Sequence, residues 1–385
     1  MNPVVGLDVA KGESQIQAFL DKKKPYQKSF KVEHTLEGLE KLHSFLSDVE
    51  RITGVKPPLV MESTGHYHTP VVHYFEESGY LIIIVNPLVS YRAKSSSLRK
   101  VKTDIIDANH LCEMYYKEDL EPYKKRGIQL LNLRNLTRQH ENITAIYVQT
   151  KLQFQAVLDQ MFPVYRGVFG DLYSVVSLLT LLEFPTSQSI LEAGEETVTN
   201  TIKKLCPRRS IKWANTKAIA LLAAASQNPF RETLYQSHIL SVEMYIKMLL
   251  EYQKHLSKFE EEIDALAKDI EEYKIIESIP GIGEKIAATI ISEIGEIERF
   301  DHPKKLVAFA GIHTLYMAVR CAIRDSRKSK TTEELIPRNK RLREFYDKKR
   351  EEGKPFKVAI IACANKLLQW IYALLKSRTT FQDLA

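Results

Sequence analysis

The sequence predicts an α/β domain at the N-terminus followed by a long, mostly α-helical remainder. Three observations predict it. Short apolar, β-branched runs recur through about the first 85 residues, with turn-forming residues between them. From about residue 128 onward, apolar residues return every three or four positions over long stretches. The length, 385 residues, exceeds what one small hydrophobic core serves, so two or three domains are expected.

Composition narrows the class. A hydrophobic share of 44% with 27% charged residues is that of a soluble globular protein. The formal charge of +7 is a mild basic excess, compatible with nucleic acid but not diagnostic of it. Cys112, Cys206, Cys321 and Cys363 are scattered, with no CxxC pair, so reduced thiols are expected rather than a zinc site or disulfide framework. The chain enters a strand almost at once, which predicts no signal peptide. Its longest apolar runs, Tyr80 to Val85 and Ala218 to Ala225, fall far short of the roughly 20 residues of a membrane span. A cytoplasmic protein with no membrane partner is expected.

The elements follow in order. Residues 3–9, 14–20 and 26–32 read as consecutive strands, the second alternating polar and apolar residues. Thr35 opens an amphipathic helix with Leu36, Leu39, Leu42, Phe45 and Leu46 on one face. Pro58 to Glu62 is a strand, about His68 to Ser78 a helix, and Tyr80 to Val85 a strand stopped by Asn86-Pro87. The unbroken Ile82-Ile83-Ile84-Val85 predicts a central strand covered on both faces. This order, with a helix beginning near Asp104, is that of an RNase H-like or RuvC-like domain over residues 1–120. A helical, coiled-coil-like region is expected over 121–274. It comprises a helix at about 128–160, an insertion of unassigned role at 161–227, and a long helix at about 228–273 capped by Asn228 with Pro229 at its first position. Residues 275–385 are expected to be a helical, basic C-terminal domain.

The chemistry gathers on acids. Asp8 ends the first strand and Glu62 ends the fourth, while Asp104 and Asp107, three apart, share one face of a helix. Each alone has a plain structural role, Asp8 as a turn former and Asp104 as a helix cap. Together they suggest a two-metal phosphoryl-transfer site, because hard divalent ions such as Mg2+ need converging oxygen ligands to bind the attacking and leaving oxygens of a phosphodiester. His66 and His68 follow Glu62 and fit packing or phosphate contact better than Mg2+ ligation.

Basic and glycine-rich stretches supply candidates for nucleic-acid contact. Lys100 and Lys102 precede Asp104 in a hydroxyl-rich segment. Pro280-Gly281-Ile282-Gly283-Glu284-Lys285 resembles the turn of a helix-hairpin-helix motif, in which Gly281 and Gly283 let backbone N–H groups meet a phosphate beside Lys285. Arg320 and Arg324 begin the most basic region, Arg320 to Lys357. For each stretch a solvated surface or a plain helix turn is the alternative.

The blocks Gly6-Leu7-Asp8-Val9-Ala10-Lys11, Met61-Glu62-Ser63-Thr64-Gly65-His66-Tyr67, Asn86-Pro87 and Asp104-Ile105-Ile106-Asp107-Ala108 stand in one order. Ile279-Pro280-Gly281-Ile282-Gly283, Glu298-Arg299-Phe300, Ala308-Phe309-Ala310-Gly311-Ile312 and Lys354-Pro355 follow. In this the chain resembles the DEDD-type transposases of insertion-sequence family 110, whose elements encode a bridge RNA. The resemblance implies a RuvC-like domain joined by a coiled coil to a C-terminal transposase domain. It implies Mg2+ held by Asp8, Glu62, Asp104 and Asp107. It also implies a homo-oligomer that cuts and rejoins DNA, guided by element-encoded RNA, with a serine nucleophile in the C-terminal domain.

The chain departs from that pattern at one place. The family's Gln-Ser-Gly segment, which carries the serine, occurs nowhere: Ala310-Gly311-Ile312-His313 runs directly into Thr314-Leu315-Tyr316-Met317. Ser326 and Ser329 lie nearby but outside any such motif. The expectation is an internally deleted, recombination-defective transposase. Two alternatives stand beside it: a RuvC-type nuclease acting on branched DNA, and a non-catalytic nucleic-acid-binding remnant.

Overall fold

A computed structural model describes residues 1–63, 65–87, 90, 104–120, 122–123, 127–230, 236–309, 312–329 and 332–382. The chain divides into two compact units, Met1–Lys125 and Arg126–Ala385.

The first unit is an open mixed sheet with helices against it. β1 (Val4–Val9), β2 (Glu13–Asp21) and β3 (Lys24–Glu33) form an antiparallel meander, and β4 (Leu59–Glu62) and β5 (Ile82–Val85) join it in parallel. The strand order is β3-β2-β1-β4-β5. Helix α1 (Leu36–Thr53) starts where Thr35 accepts the Gly38 N–H at 3.1 Å. Its Leu39, Leu42, Leu46 and Val49 pack with Val5, Leu7, Leu59 and Met61 and with Val71, Val72 and Phe75 of α2 (Thr69–Glu77). The other face of the sheet, through Val4, Val60, Ile83 and Val85, packs against Leu111, Cys112 and Met114 of α3 (Asp104–Tyr115).

The dense β-branched run of β5 was expected at the centre of a sheet, and among the described strands it stands at the edge. It is apolar because both its faces are covered: Ile82 joins the α1 and α2 side, and Ile83 and Val85 the α3 side. Its free edge is partly closed by Tyr123, whose N–H donates to the Ile82 carbonyl at 2.7 Å.

The second unit is mostly helical. α4 (Ile128–Leu158) is followed by the 3-10 turn Pro163–Gly167 and by α5 (Val175–Glu183), α6 (Ser187–Leu205) and α7 (Ile211–Ser226). α8 (Gln236–Lys268) returns along α4: Tyr147 meets Gln253, Gln153 meets Tyr245 and His140 meets Glu260, an antiparallel register. The expected start of this long helix at Asn228 is not observed. Asn228 is 4% exposed, and its side-chain amide donates to Met161 O, Ser187 Oγ and Phe230 O instead of capping a helix.

Beyond α8 come α9 (Glu271–Glu277), α10 (Glu284–Ile294), α11 (Pro303–Phe309), α12 (Ile312–Ala322), α13 (Lys340–Glu351) and α14 (Phe356–Ser377). The C-terminal part is expected to be mostly helical, and no strand is expected there. It also holds a hairpin, β6 (Asp325–Ser329) with β7 (Thr332–Pro337). Pro337 cannot sit inside a helix, and that was the available signal. α14 is the one helix among the described residues long and apolar enough to cross a membrane by length and composition. Ile360, Cys363, Ala364, Leu367, Leu368, Ile371 and Leu375 of that helix are buried in the core of the unit.

Candidate active site

Backbone geometry brings the predicted acids of the first unit to one end of the sheet. β1 and β4 are parallel, with Gly6 opposite Val60 and Leu7 opposite Met61. Continued by one residue, that register carries Asp8 beside Glu62 at the carboxyl ends of strands whose backbones run about 5 Å apart. Alternation sends both to the face that carries α3, since Gly6 and Val60, two residues earlier, contact that helix or its cluster.

Gly6 determines how closely α3 approaches. A Cβ there would lie 2.3 Å from the Ala108 carbonyl oxygen and 3.0 Å from Cys112 Sγ. The Gly6 N–H donates to Cys112 Sγ at 3.1 Å, and the thiol donates to the Gln17 carbonyl at 3.2 Å. At the far end Tyr116 Oη donates to the Asn2 carbonyl at 2.6 Å. The helix therefore runs antiparallel to β1, and its start points toward Asp8. From Ala108 back to position 104 the helix rises about 6 Å, and from Gly6 to Asp8 the strand advances about 7 Å. By these rises the backbone of the first turn of α3 is directed toward the level of Asp8. Burial pushes the Cys112 thiol up to about 12, keeping it protonated as a donor.

Among the described residues, no group of three or more His, Cys, Asp or Glu side chains is drawn together as a metal-holding set. Asp104 belongs to α3, but its side chain is outside the description. His66 packs its ring on Tyr67, at 4.7 Å between centroids. Burial, and then neighbouring His66, lower the pKa of His68, whose Nδ1 is buried without a hydrogen-bond partner among the described residues. Lys100 and Lys102 lie outside the described residues.

In the second unit the glycine turn is used for packing. Gly281 has φ +93°, and a Cβ there would lie 2.3 Å from Ala322 Cα. The turn is tied in further by Asn339 Nδ2, which donates to the Pro280 carbonyl at 3.3 Å. Gly283 is different: it caps α10, is exposed, and a Cβ would meet nothing within 4 Å. Lys285 is ion-paired with Glu260, which His140 also approaches at 3.4 Å. Burial alone would raise the Glu260 carboxyl, but those two partners outweigh it and hold it below the usual range. Arg320 and Arg324 are exposed, Arg320 lying over the Tyr316 ring at 5.8 Å. Ser326 and Ser329 fall on β6, with side chains outside the description.

Arg343 belongs to the basic stretch read as nucleic-acid contact, and the structure gives it a packing role instead. It donates to Asp325 at 2.8 Å, to Asp347 at 3.0 Å and to the Ile323 carbonyl at 3.0 Å, joining α12, β6 and α13. Only its place within a basic run marked it beforehand.

Comparison with known proteins bears on both units. The DEDD transposase family of IS110 matches residues 5–163, which include Asp8, Glu62, Asp104 and Asp107. The family described as "Transposase IS116/IS110/IS902 family" matches residues 273–315, across the glycine turn. Over these two stretches the chain is similar to transposases of the IS110/IS116 type. The "Insertion element IS116 uncharacterized 44.8 kDa protein" of Streptomyces clavuligerus is 22% identical to it over 342 residues, 83% of each chain. The "Transposase for insertion sequence element IS1111A" of Coxiella burnetii is 34% identical over 64 residues, 17% of this chain and 18% of that protein. A DNA-binding, transposase-type function at the family level follows.

Proposed function

We propose that the chain acts on DNA through a RuvC-like N-terminal domain in which Asp8, Glu62, Asp104 and Asp107 form a Mg2+-binding set. What supports this reading is the parallel pairing of β1 with β4 through Leu7 and Met61, which leads Asp8 toward Glu62, and the antiparallel run of α3 across Gly6. The donor chemistry fits the ion: all four groups are carboxylates, the hard oxygen ligands that Mg2+ takes. When bound, two such ions would polarise the phosphodiester and activate its attacking hydroxyl. The chain's own part is to hold negative oxygens at fixed spacing, and Gly6 makes this possible by admitting α3 against the sheet.

The partners in this reading are DNA at the element ends and target, an element-encoded guide RNA, and further copies of the chain. A coiled-coil role for α4 and α8, and phosphate binding at the hairpin by Gly283, Arg320 and Arg324, belong to the same proposal. So do the three-part division at 120 and 274 and a cytoplasmic location.

The test is Mg2+-dependent cleavage of duplex or four-way-junction DNA carrying the element's ends. The wild type should cut and Asp8→Asn should not. Equal cutting by both would overturn the site assignment.

A second reading rests on the missing Gln-Ser-Gly segment. Without that serine the chain lacks the family's motif nucleophile for the covalent DNA intermediate that conserves bond energy during exchange. It would then be a recombination-defective copy that occupies nucleic acid, or a nuclease that cuts without rejoining. Binding that survives Asp8→Asn with no cleavage by the wild type favours the former. Efficient insertion or excision by this chain in cells sinks the deletion reading.

A further inference from the structure

The segment 161–227 has no assigned role, and its second half is one-sidedly basic. Between Glu196 and Glu232 there is no Asp or Glu, while seven residues are Lys or Arg. The chain as a whole is nearly balanced, at 55 basic to 48 acidic residues. The fold concentrates this bias. α6 ends at Leu205, α7 begins at Ile211, and Pro207 through Lys212, at and after the turn between them, are exposed.

The tip is built rather than loose. Lys203 Nζ donates to the carbonyls of Pro207 at 2.9 Å and Arg209 at 2.6 Å, fixing the turn from beneath. Ser210 accepts the Trp213 N–H at 3.2 Å and starts α7. Arg209 lies over the Trp213 ring at 5.6 Å. Lys204, Arg208 and Lys212 remain exposed, and none of them forms an ion pair among the described residues. Glu195 accepts from Asn215 at 2.8 Å rather than from a cation. The first turn of α7 has no acidic residue, although a helix start favours negative charge. Cations crowded there disfavour the isolated fold and are relieved by an anion.

We propose that the α6–α7 tip is a sequence-independent docking surface for the phosphate backbone of double-stranded DNA, with Lys204, Arg208 and Lys212 as the contacting cations. Duplex DNA is favoured by what the tip lacks. Single-stranded nucleic acid is held on free aromatic faces, and the one aromatic ring at the tip, Trp213, is half-buried and covered by Arg209. Duplex backbone needs only fixed cations. The inference goes beyond the cleavage site and takes from the transposase reading only its DNA partner.

The test compares the full-length protein with Lys204→Gln/Arg208→Gln/Lys212→Gln. A control, Lys41→Gln/Lys247→Gln/Lys254→Gln, removes the same charge from lysines paired with carboxylates on their own helices. Fluorescence anisotropy on a random-sequence 30-mer duplex, across a salt series, reads both Kd and its salt slope. Each lost phosphate contact flattens the slope by about 0.9, so the tip variant should flatten it by roughly 2–3 and raise Kd about tenfold or more. The control should match wild type, and far-UV circular dichroism confirms that both variants fold. The proposal is overturned by any of three results: tip and control variants that bind alike, a wild type with no salt-dependent duplex binding, or a loss confined to a structured RNA probe. Asp8→Asn, which tests cleavage, leaves this binding intact, so either reading can fail without the other.

Discussion

Replacing Gly6 by Ala tests whether close helix–sheet contact builds the acidic site. The added Cβ would sit 2.3 Å from the Ala108 carbonyl oxygen. A carbon needs about 3.3–3.6 Å from such an oxygen, so α3 must withdraw by roughly 1 Å. The obstacle is backbone inside a buried cluster, where Ala108, Leu111, Cys112 and Met114 are at most 2% exposed, so no flexible side chain can yield. Overpacking of this kind costs about 1–3 kcal/mol. The withdrawal also weakens the Gly6 to Cys112 hydrogen bond, now 3.1 Å. A shift near 1 Å at positioned groups lowers a rate by about 10²-fold. Urea denaturation of Gly6→Ala should show a clearly lower midpoint, and Mg2+-dependent cleavage should fall further than stability alone explains. Gly283→Ala, where a Cβ meets nothing within 4 Å, is the matched control and should unfold like wild type. A Gly6→Ala protein with an unchanged midpoint and full cleavage would refute the reasoning.

The remaining predictions concern the second unit and the buried thiol. Asn228→Ala removes the buried amide that joins Met161, Ser187 and Phe230, and should cost about 2–3 kcal/mol in chemical denaturation; a change under about 0.5 would contradict the clasp. Glu293 bonds Arg134 at 2.8 Å and Arg138 at 2.7 Å; burial would raise its carboxyl, but the two guanidiniums hold it below the usual range. Its folded pKa lies below the unfolded one, so its contribution is present above the unfolded value near 4.5 and fades as pH falls through the folded value. Glu293→Gln should therefore lower stability at pH 7 by about 1 kcal/mol after solvent screening, and flatten the acid limb of the stability curve; parallel curves would contradict it. Cys112, with its thiol pushed up to about 12, should resist iodoacetamide in the native protein at pH 8 while partly exposed Cys206 and Cys321 react. Mass-spectrometric labelling of Cys112 at the rate of Cys206 would show the α3 contact to be open.

Local pattern carried much of the fold. β1 to β5 and α1 to α3 lie within a few residues of their expected places, because alternation and turn residues act over short distances. The errors came where a residue answers to distant chain. Asn228-Pro229 reads as a helix start, yet the amide is taken up by Met161 and Ser187, 67 and 41 residues away. Ile82 to Val85 reads as a central strand because burial on both faces leaves the same apolar signature as a central position. The β6–β7 hairpin was hidden in a basic run whose charges masked its pairing.

The sequence by itself determined that Asp8 and Glu62 end strands and that Asp104 and Asp107 share a helical face, since those are matters of period. Tertiary structure decided that β1 and β4 are parallel neighbours in a register that aligns the two acids, and that α3 lies antiparallel across Gly6. It also decided that Gly281 is spent against Ala322 while Gly283 stays open, although both stand in one turn. Strand neighbours and close backbone approaches arise between segments some 50 to 100 residues apart, and no local period records which surfaces will meet.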